Sequence, residues 1–425
     1  MTMQRREFLK AIGAGVSTVA LAACAGSPGR SGPRVVIVGG GYGGATVAKY
    51  LAMWGNGALD ITLVEPNTAF VSCPLSNLVL GGSKQIADLT VSYEGLVKRG
   101  VRVIAETATA VDPLRQTVRI RDQRELPYDR LVLSPGIDFM YDQVQGLGSP
   151  EAQAKVLHAW KAGPQTVALR QQIEAMRDGG VYVVSIPKAP YRCPPGPYER
   201  ACQVAWYFKR AKPRSKVLIL DGNEDVVSKK GLFMKAWNED YKGIVEYRPN
   251  HVLTGVDAAT LTAKFEVADD VRADVLNVVP PQRAGAIAAQ AGVITANNRW
   301  CEVNFLTFES IKMPRIHVLG DAIQVAPLMP KSGHMANQQA KVAAAAILNA
   351  FAGQAPNPAP VITNTCYSFI SDREVVHVCS VHQYDAEKKT FLTVPGSGGV
   401  SPAASALEGE YAFGWAKNIW ADTLG

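Results

Sequence analysis

The chain has 425 residues, 47% of them hydrophobic, and 44 Lys and Arg against 37 Asp and Glu give a formal charge of +7. That length suits two or three domains, and the composition is that of an ordinary globular protein rather than a disordered or fibrous one. The basic surplus is modest and scattered, with no repeated aromatic and basic stripe, which argues against nucleic-acid binding.

The N-terminus reads Gln4-Arg5-Arg6-Glu7-Phe8-Leu9-Lys10, and the apolar stretch 11–25 is too short for a typical spanning helix. This pattern predicts a twin-arginine signal over residues 1–25 and a periplasmic destination. Cleavage near Ala25 is the favoured reading; Leu21-Ala22-Ala23-Cys24 also resembles a lipoprotein box, which would anchor the chain through Cys24. An apolar strand, 35–38, then empties into Gly39-Gly40-Gly41-Tyr42-Gly43-Gly44. In this G-x-G-x-x-G turn Gly39 allows the bend, Gly41 lets the backbone approach a pyrophosphate, and Gly44 lets a helix over 45–53 pack against the strand. The strand 61–64 delivers Glu65 about 20 residues on, the expected partner of an adenosine ribose hydroxyl. Export signal and dinucleotide turn together imply a redox cofactor loaded before export.

Further strands are expected at 101–104, 117–120 and 128–133, the last ending in Ser134-Pro135-Gly136. A helix over 162–176 leads to the strand 181–186, which opens a second α/β unit continued by the strand 216–221. Near the end, the strand 315–319 closes on Gly320-Asp321, and an Ala-rich helix is expected over 331–352. The Asp321 carboxylate is placed to accept a ribityl hydroxyl, and the helix starting at Lys331 to aim backbone N–H groups at the N1/O2 edge of a flavin. The pattern is an α/β protein with two Rossmann-like nucleotide-binding domains, the FAD domain being interrupted by the second, plus a C-terminal α+β cap. The expected limits are 33–147 and 286–355 for the FAD domain, 148–285 for the second domain and 356–425 for the cap.

An NAD(P)H-using relative would place a second Gly-rich loop after residue 186. Here the sequence is Pro187-Lys188-Ala189-Pro190-Tyr191-Arg192-Cys193-Pro194-Pro195-Gly196-Pro197-Tyr198-Glu199-Arg200. Prolines remove backbone donors, so this segment cannot cradle a pyrophosphate on successive N–H groups, and no NAD(P)H site is expected. It presents a rigidly held cysteine instead, before a helix over 198–209. The chain has seven cysteines, which can pair in an oxidising compartment, and its histidines show no metal-ligand spacing with them. No C-x-x-C-H occurs, so any haem must lie on another chain.

The segments 192–200, Val279-Pro280-Pro281-Gln282-Arg283-Ala284-Gly285, Met329-Pro330-Lys331-Ser332-Gly333, Asn364-Thr365-Cys366-Tyr367-Ser368 and Gly398-Gly399-Val400-Ser401-Pro402 are spread over the whole mature chain. Through them it resembles the flavoprotein subunit of flavocytochrome c sulfide dehydrogenase, a relative of sulfide:quinone oxidoreductases. The resemblance implies FAD tethered covalently through Cys73, with Pro74 departing from the family's usual bulkier residue. It implies a redox disulfide between Cys193 and Cys366 and places Glu199 and Trp415 along the flavin site. A plain buried thiol at Cys73 and a purely structural Cys193 to Cys366 staple remain the alternatives. The expected activity is oxidation of sulfide, with electrons passed to a c-type cytochrome subunit in a heterodimer. Transfer to quinone at the membrane, or a non-catalytic flavoprotein that docks a cytochrome, are the rival expectations.

Overall fold

The computed structural model describes residues 32–425; the signal segment and Cys24 lie outside the described residues. β1 (Arg34–Val38) is parallel both to β2 (Asp60–Val64) and to β4 (Arg130–Leu133). Because neighbours cover both edges and other elements pack on the sheet, among them the helix after β1 and the small antiparallel sheet that carries Val111, Val118, Ile120 and Leu126, residues Val35, Ile37, Leu63, Leu131, Val132 and Leu133 are all wholly buried, and these strands read as unbroken apolar runs. β3 (Arg102–Ile104) extends the sheet beyond β2, and β9 (Ile316–Val318) joins β4 in parallel on the other side. Two short antiparallel strands, Val303–Asn304 and Glu309–Ser310, complete seven. Between β1 and β2 runs α1 (Tyr42–Trp54), against which α3 (Gly333–Phe351) packs.

The chain leaves this domain at Ile137–Phe139 and returns at Gln282–Ala284, and the two stretches pair antiparallel. Everything between them hangs from one two-stranded ribbon. The second domain is a parallel sheet in the order β7 (Val245–Arg248), β6 (Lys216–Asp221), β5 (Val181–Ile186), β8 (Val275–Val278). Its helix α2 (Gly196–Ala211) begins right after the proline-flanked cysteine.

The cap is an antiparallel sheet of β10 (Val361–Phe369), β11 (Val375–Asp385) and β12 (Thr390–Thr393), followed by α4 (Ala406–Leu424). α4 runs back to the first domain. Lys49 donates to the Ala421 carbonyl at 2.7 Å, Tyr50 to Asp422 at 2.5 Å, and Asn337 of α3 to the same carboxylate at 2.8 Å. Among the described residues, no helix is long and apolar enough to cross a membrane.

Candidate active site at a three-way junction

β1 ends in Gly39, whose φ of +100° and an added Cβ only 2.3 Å from the Ser134 carbonyl oxygen both demand glycine. At Gly44 a Cβ would lie 1.8 Å from the Gly39 oxygen, so only glycine lets α1 start against the strand. Gly41 differs: a Cβ there would meet nothing within 4 Å, because it faces an open cleft. No side chain caps α1, which leaves its first-turn N–H groups for an anion. Glu65, buried at the end of β2, accepts from the Gly40 N–H at 2.7 Å and from the Asn67 N–H at 2.9 Å, tying the glycine loop to the neighbouring strand.

A cleft of about 490 Å³ runs from these residues past Ser134, Gly285 and Gly320 to Asp321 and Gly333. The Asp321 Oδ1 atom is shut off from solvent without any partner, and burial pushes this carboxyl above its ordinary pKa. An orphaned acceptor at one end of a long cleft and a glycine cradle at a bare helix N-terminus at the other fit a flavin dinucleotide. Lys331 is placed differently from the expectation. α3 begins two residues later, where Ser332 accepts from the Met335 N–H at 3.0 Å and caps the helix. The Lys331 side chain turns away, donating to the carbonyls of Asp321 at 2.9 Å and Ile323 at 2.5 Å and lying 3.6 Å from the Trp300 ring centroid. It braces the Asp321 turn from behind and does not line the cleft.

Cys73 lines this cleft and also a second, more apolar cavity of about 120 Å³. The second cavity collects Cys193 from the second domain, Cys366 and Trp415 from the cap, and Glu199 from the first turn of α2. All three sulfurs are thiols in this structure, and burial pushes those of Cys193 and Cys366 upward in pKa. Cys193 has φ +57°, its N–H donating to the Lys331 carbonyl at 2.8 Å and its own carbonyl accepting from the Gly196 N–H at 2.9 Å, so its backbone is held on both sides. Arg192 Nη2 reaches Cys73 Sγ at 3.3 Å. Trp415 packs against His334 and Tyr367 at the outer wall, ring centroids 5.7 and 6.0 Å away.

The Glu199 carboxylate accepts from the Phe369 N–H and from Asn77 Nδ2, each at 2.9 Å, yet burial still raises its pKa. Arg200 is 2% exposed and donates to the carbonyls of His158 (2.8 Å) and Ala159 (2.6 Å) and to Asn277 Oδ1 (2.8 Å). It ties α2 to the 158–159 turn and to β8. Sequence reasoning missed Lys229, Asn364 and Arg192. Lys229 donates to the Cys366 carbonyl at 2.9 Å, and Asn364 Nδ2 lies 3.6 Å from Cys366 Sγ. Arg192 and Asn364 stand in segments the sequence marks, whereas Lys229 sits in Ser228-Lys229-Lys230, which looks solvated. Among the described residues, no group of His, Cys, Asp and Glu is placed to hold a metal ion.

Two nucleotide folds, a glycine cradle and cysteines gathered beside it define a flavoprotein oxidoreductase of the disulfide-reductase type. Comparison with known proteins agrees: a pyridine nucleotide-disulphide oxidoreductase model matches residues 33–174. The central model of the sulfide dehydrogenase [flavocytochrome c] flavoprotein chain matches 166–280, and the flavocytochrome c sulphide dehydrogenase flavin-binding model matches 358–424. The sulfide dehydrogenase [flavocytochrome c] flavoprotein chain of Chlorobaculum thiosulfatiphilum is 61% identical over 46 residues, 11% of this chain and 94% of that one. The chain belongs to the flavocytochrome c sulfide dehydrogenase flavoprotein family.

A mitochondrial sulfide:quinone oxidoreductase of Dictyostelium discoideum is 25% identical over 68% of this chain, which spans 65% of that relative's length. The fold matches that of the sulfide:quinone oxidoreductase of Aquifex aeolicus with a TM-score of 0.74 at 18% identity, covering 92% of this chain and 91% of that one. A Lactobacillus brevis NADH oxidase bound to NADH matches with a TM-score of 0.61 at 17% identity, covering 92% and 91%.

Proposed function

We propose that this chain is the flavoprotein subunit of a periplasmic sulfide dehydrogenase, which oxidises sulfide to sulfur or polysulfide at Cys193 and Cys366 and passes electrons to a c-type cytochrome subunit. The observation that carries the reading is that Cys73, Cys193 and Cys366, far apart in sequence, line one cavity next to the dinucleotide cleft. FAD would lie between the Gly39 to Gly44 loop, Glu65 and Asp321, and a thioether at Cys73 would tether it where the two cavities meet. Bound FAD supplies a two-electron acceptor able to pass electrons on singly, which suits a haem partner.

The residues of this chain do the rest. Joined as a disulfide, Cys193 and Cys366 would offer hydrosulfide a sulfur to attack; the backbone bonds to Lys331 and Gly196 and the following prolines hold Cys193, and the apolar wall of Trp415, Tyr367 and Phe369 limits water. NAD(P)H has no place in this scheme. In the second domain, the cavity beyond β5 and β6 is about 230 Å³, lined by Ser185, Pro187, Lys188 and Gly222, and its prolines lack the N–H groups a pyrophosphate needs.

The test is anaerobic mixing of the purified protein with sulfide. Sulfide should bleach the flavin band of the unaltered protein, and Cys366→Ala should abolish this while retaining its flavin and its reduction by dithionite. Sulfide reduction of Cys366→Ala at an unaltered rate would refute the role of the thiol pair. Since quinone-linked relatives are among those matched, cytochrome c and a soluble quinone should be compared as acceptors; faster turnover with quinone would move the enzyme to the membrane-linked class.

A further inference from the structure

Lys229 and Lys230 follow one another in sequence and do opposite things. Lys230 pairs at the surface with Asp225, at 2.5 Å. Lys229, with φ +53°, turns inward and is 7% exposed. Its ammonium donates to the Cys366 carbonyl at 2.9 Å and to Ser368 Oγ at 2.8 Å, two neutral acceptors on one face of β10. Among the described residues, no carboxylate lies within 4.0 Å of it. Burying an ammonium is costly unless it is paired, and two neutral acceptors do not balance a full charge. Burial lowers the Lys229 pKa to about 8, and of the groups that counter this and favour the ammonium Cys366, whose carbonyl it already holds, comes first, ahead of Glu199 and Cys193.

The two thiols are unequally supported. Lys229 and Asn364 both act to favour a thiolate at Cys366. Burial raises both thiols and Glu199 opposes ionisation of both; the Cys193 sulfur differs in receiving no hydrogen bond from a described residue and in having Arg192, a weaker influence there than Cys366 and Glu199, as the one cation that favours its thiolate. The start of α2 lies close to Cys193, but a helix N-terminus is worth about half a charge against the whole charge of Lys229. Pro197 also removes one of its N–H groups, and Glu199 stands in the same turn. In thiol–disulfide exchange the more acidic thiol is the better leaving group.

We propose that Lys229 is a positioning residue which holds Cys366 as a thiolate, making Cys366 the leaving sulfur and Cys193 the sulfur that hydrosulfide attacks. The proposal rests on the sulfide reading and deepens it. Hydrosulfide forms a new S–S bond to Cys193 Sγ as the Cys193 to Cys366 bond breaks. The products are a Cys193 persulfide and a Cys366 thiolate, the negative charge having moved from sulfide to Cys366, and no external oxidant is needed for this step. The other titratable groups around β10 do not supply the countercharge. Burial holds His334 near a pKa of about 4 and therefore neutral, Glu199 carries the wrong sign, and His377 is bonded to Glu408 at 2.9 Å on the other flank, beyond which lies Cys379.

Two measurements on the holoprotein test this. In the first, oxidised unaltered protein receives one equivalent of sulfide without oxygen, then iodoacetamide, and its peptides are mapped. A persulfide on Cys193 with alkylated Cys366 is expected; the reverse assignment overturns the proposal, and no persulfide on either overturns the sulfide reading beneath it. The second uses no sulfide. In dithionite-reduced protein the rate of Cys366 alkylation is followed against pH, and Lys229→Met should lower the thiolate fraction at neutral pH by on the order of tenfold. Lys229→Arg should restore the profile, and Lys230→Met should leave it unmoved. An unshifted profile in Lys229→Met sinks the proposal. If that variant does not fold, the Lys229→Arg profile and the persulfide map decide the matter.

Discussion

Gly41 and Gly44 are three residues apart in the same turn, yet alanine at each should fail differently. At Gly44 the new methyl would sit 1.8 Å from the Gly39 carbonyl oxygen, roughly half an ordinary contact and against backbone that cannot rotate aside. Relieving it means moving α1 off β1, at a cost of about 3 kcal/mol or more. At Gly41 the backbone (φ −70°, ψ −168°) suits any residue and the methyl meets nothing within 4 Å. The smaller unfolded-state entropy and the poorer helix cap roughly cancel, leaving stability within about 1 kcal/mol of the parent. What Gly41→Ala loses is room at the bare end of α1, where the pyrophosphate would approach the backbone. An affinity loss of at least about tenfold, ~1.4 kcal/mol, is expected. The assay combines apo-protein melting with FAD titration, both in a Cys73→Ser background so that no covalent bond hides the affinity. The reasoning is refuted if Gly41→Ala binds FAD like its parent, or if Gly44→Ala melts like it.

Acid precipitation of the unaltered protein should leave a yellow pellet, whereas Cys73→Ser should release its flavin to the supernatant; free FAD from the unaltered protein would exclude the tether. NADH and NADPH should leave the flavin band of the anaerobic protein unchanged, and rapid bleaching by either would show that the second domain binds a nicotinamide. Arg200→Met should destabilise the fold by at least about 3 kcal/mol, since the His158 and Ala159 carbonyls and Asn277 lose a charged donor while buried; a denaturant midpoint unchanged from the parent would contradict that. For Glu199→Gln the side chain can still accept from Phe369 but places a donor toward Asn77 Nδ2 or must flip, so slower flavin reduction with full flavin content is expected in stopped-flow traces.

The sequence exposes most where one force acts alone. The strands 181–186 and 216–221 appear over the expected residues because continuous burial forces an apolar run with no competing period, and 117–120 does so through plain alternation, Val118 and Ile120 buried about an exposed Arg119. Helix starts are less legible. α2 begins at Gly196 rather than 198, since Pro195 and Pro197 fit a helix's first turn as well as they fit a loop. α3 begins at Gly333 because Ser332 caps it, which turns Lys331 from a helix start into a brace. The glycine turn and the cysteine segments announce themselves through residue types that bear few other readings. Lys229 does not, because inward and outward lysines are written alike and only the tertiary path of the chain decides between them.

The three sulfurs sit on three separately built pieces of the molecule, and the second domain is joined to the first by a single two-stranded ribbon. A fragment holding the whole nucleotide cradle would have one cysteine beside it and nothing for that cysteine to work with. Reactivity here is therefore a readout of assembly. One domain would suffice to grip the flavin, whereas the proposed thiol pair exists as a pair only where all three pieces are packed together, so a chain lacking either later piece would hold the cofactor without the sulfur chemistry.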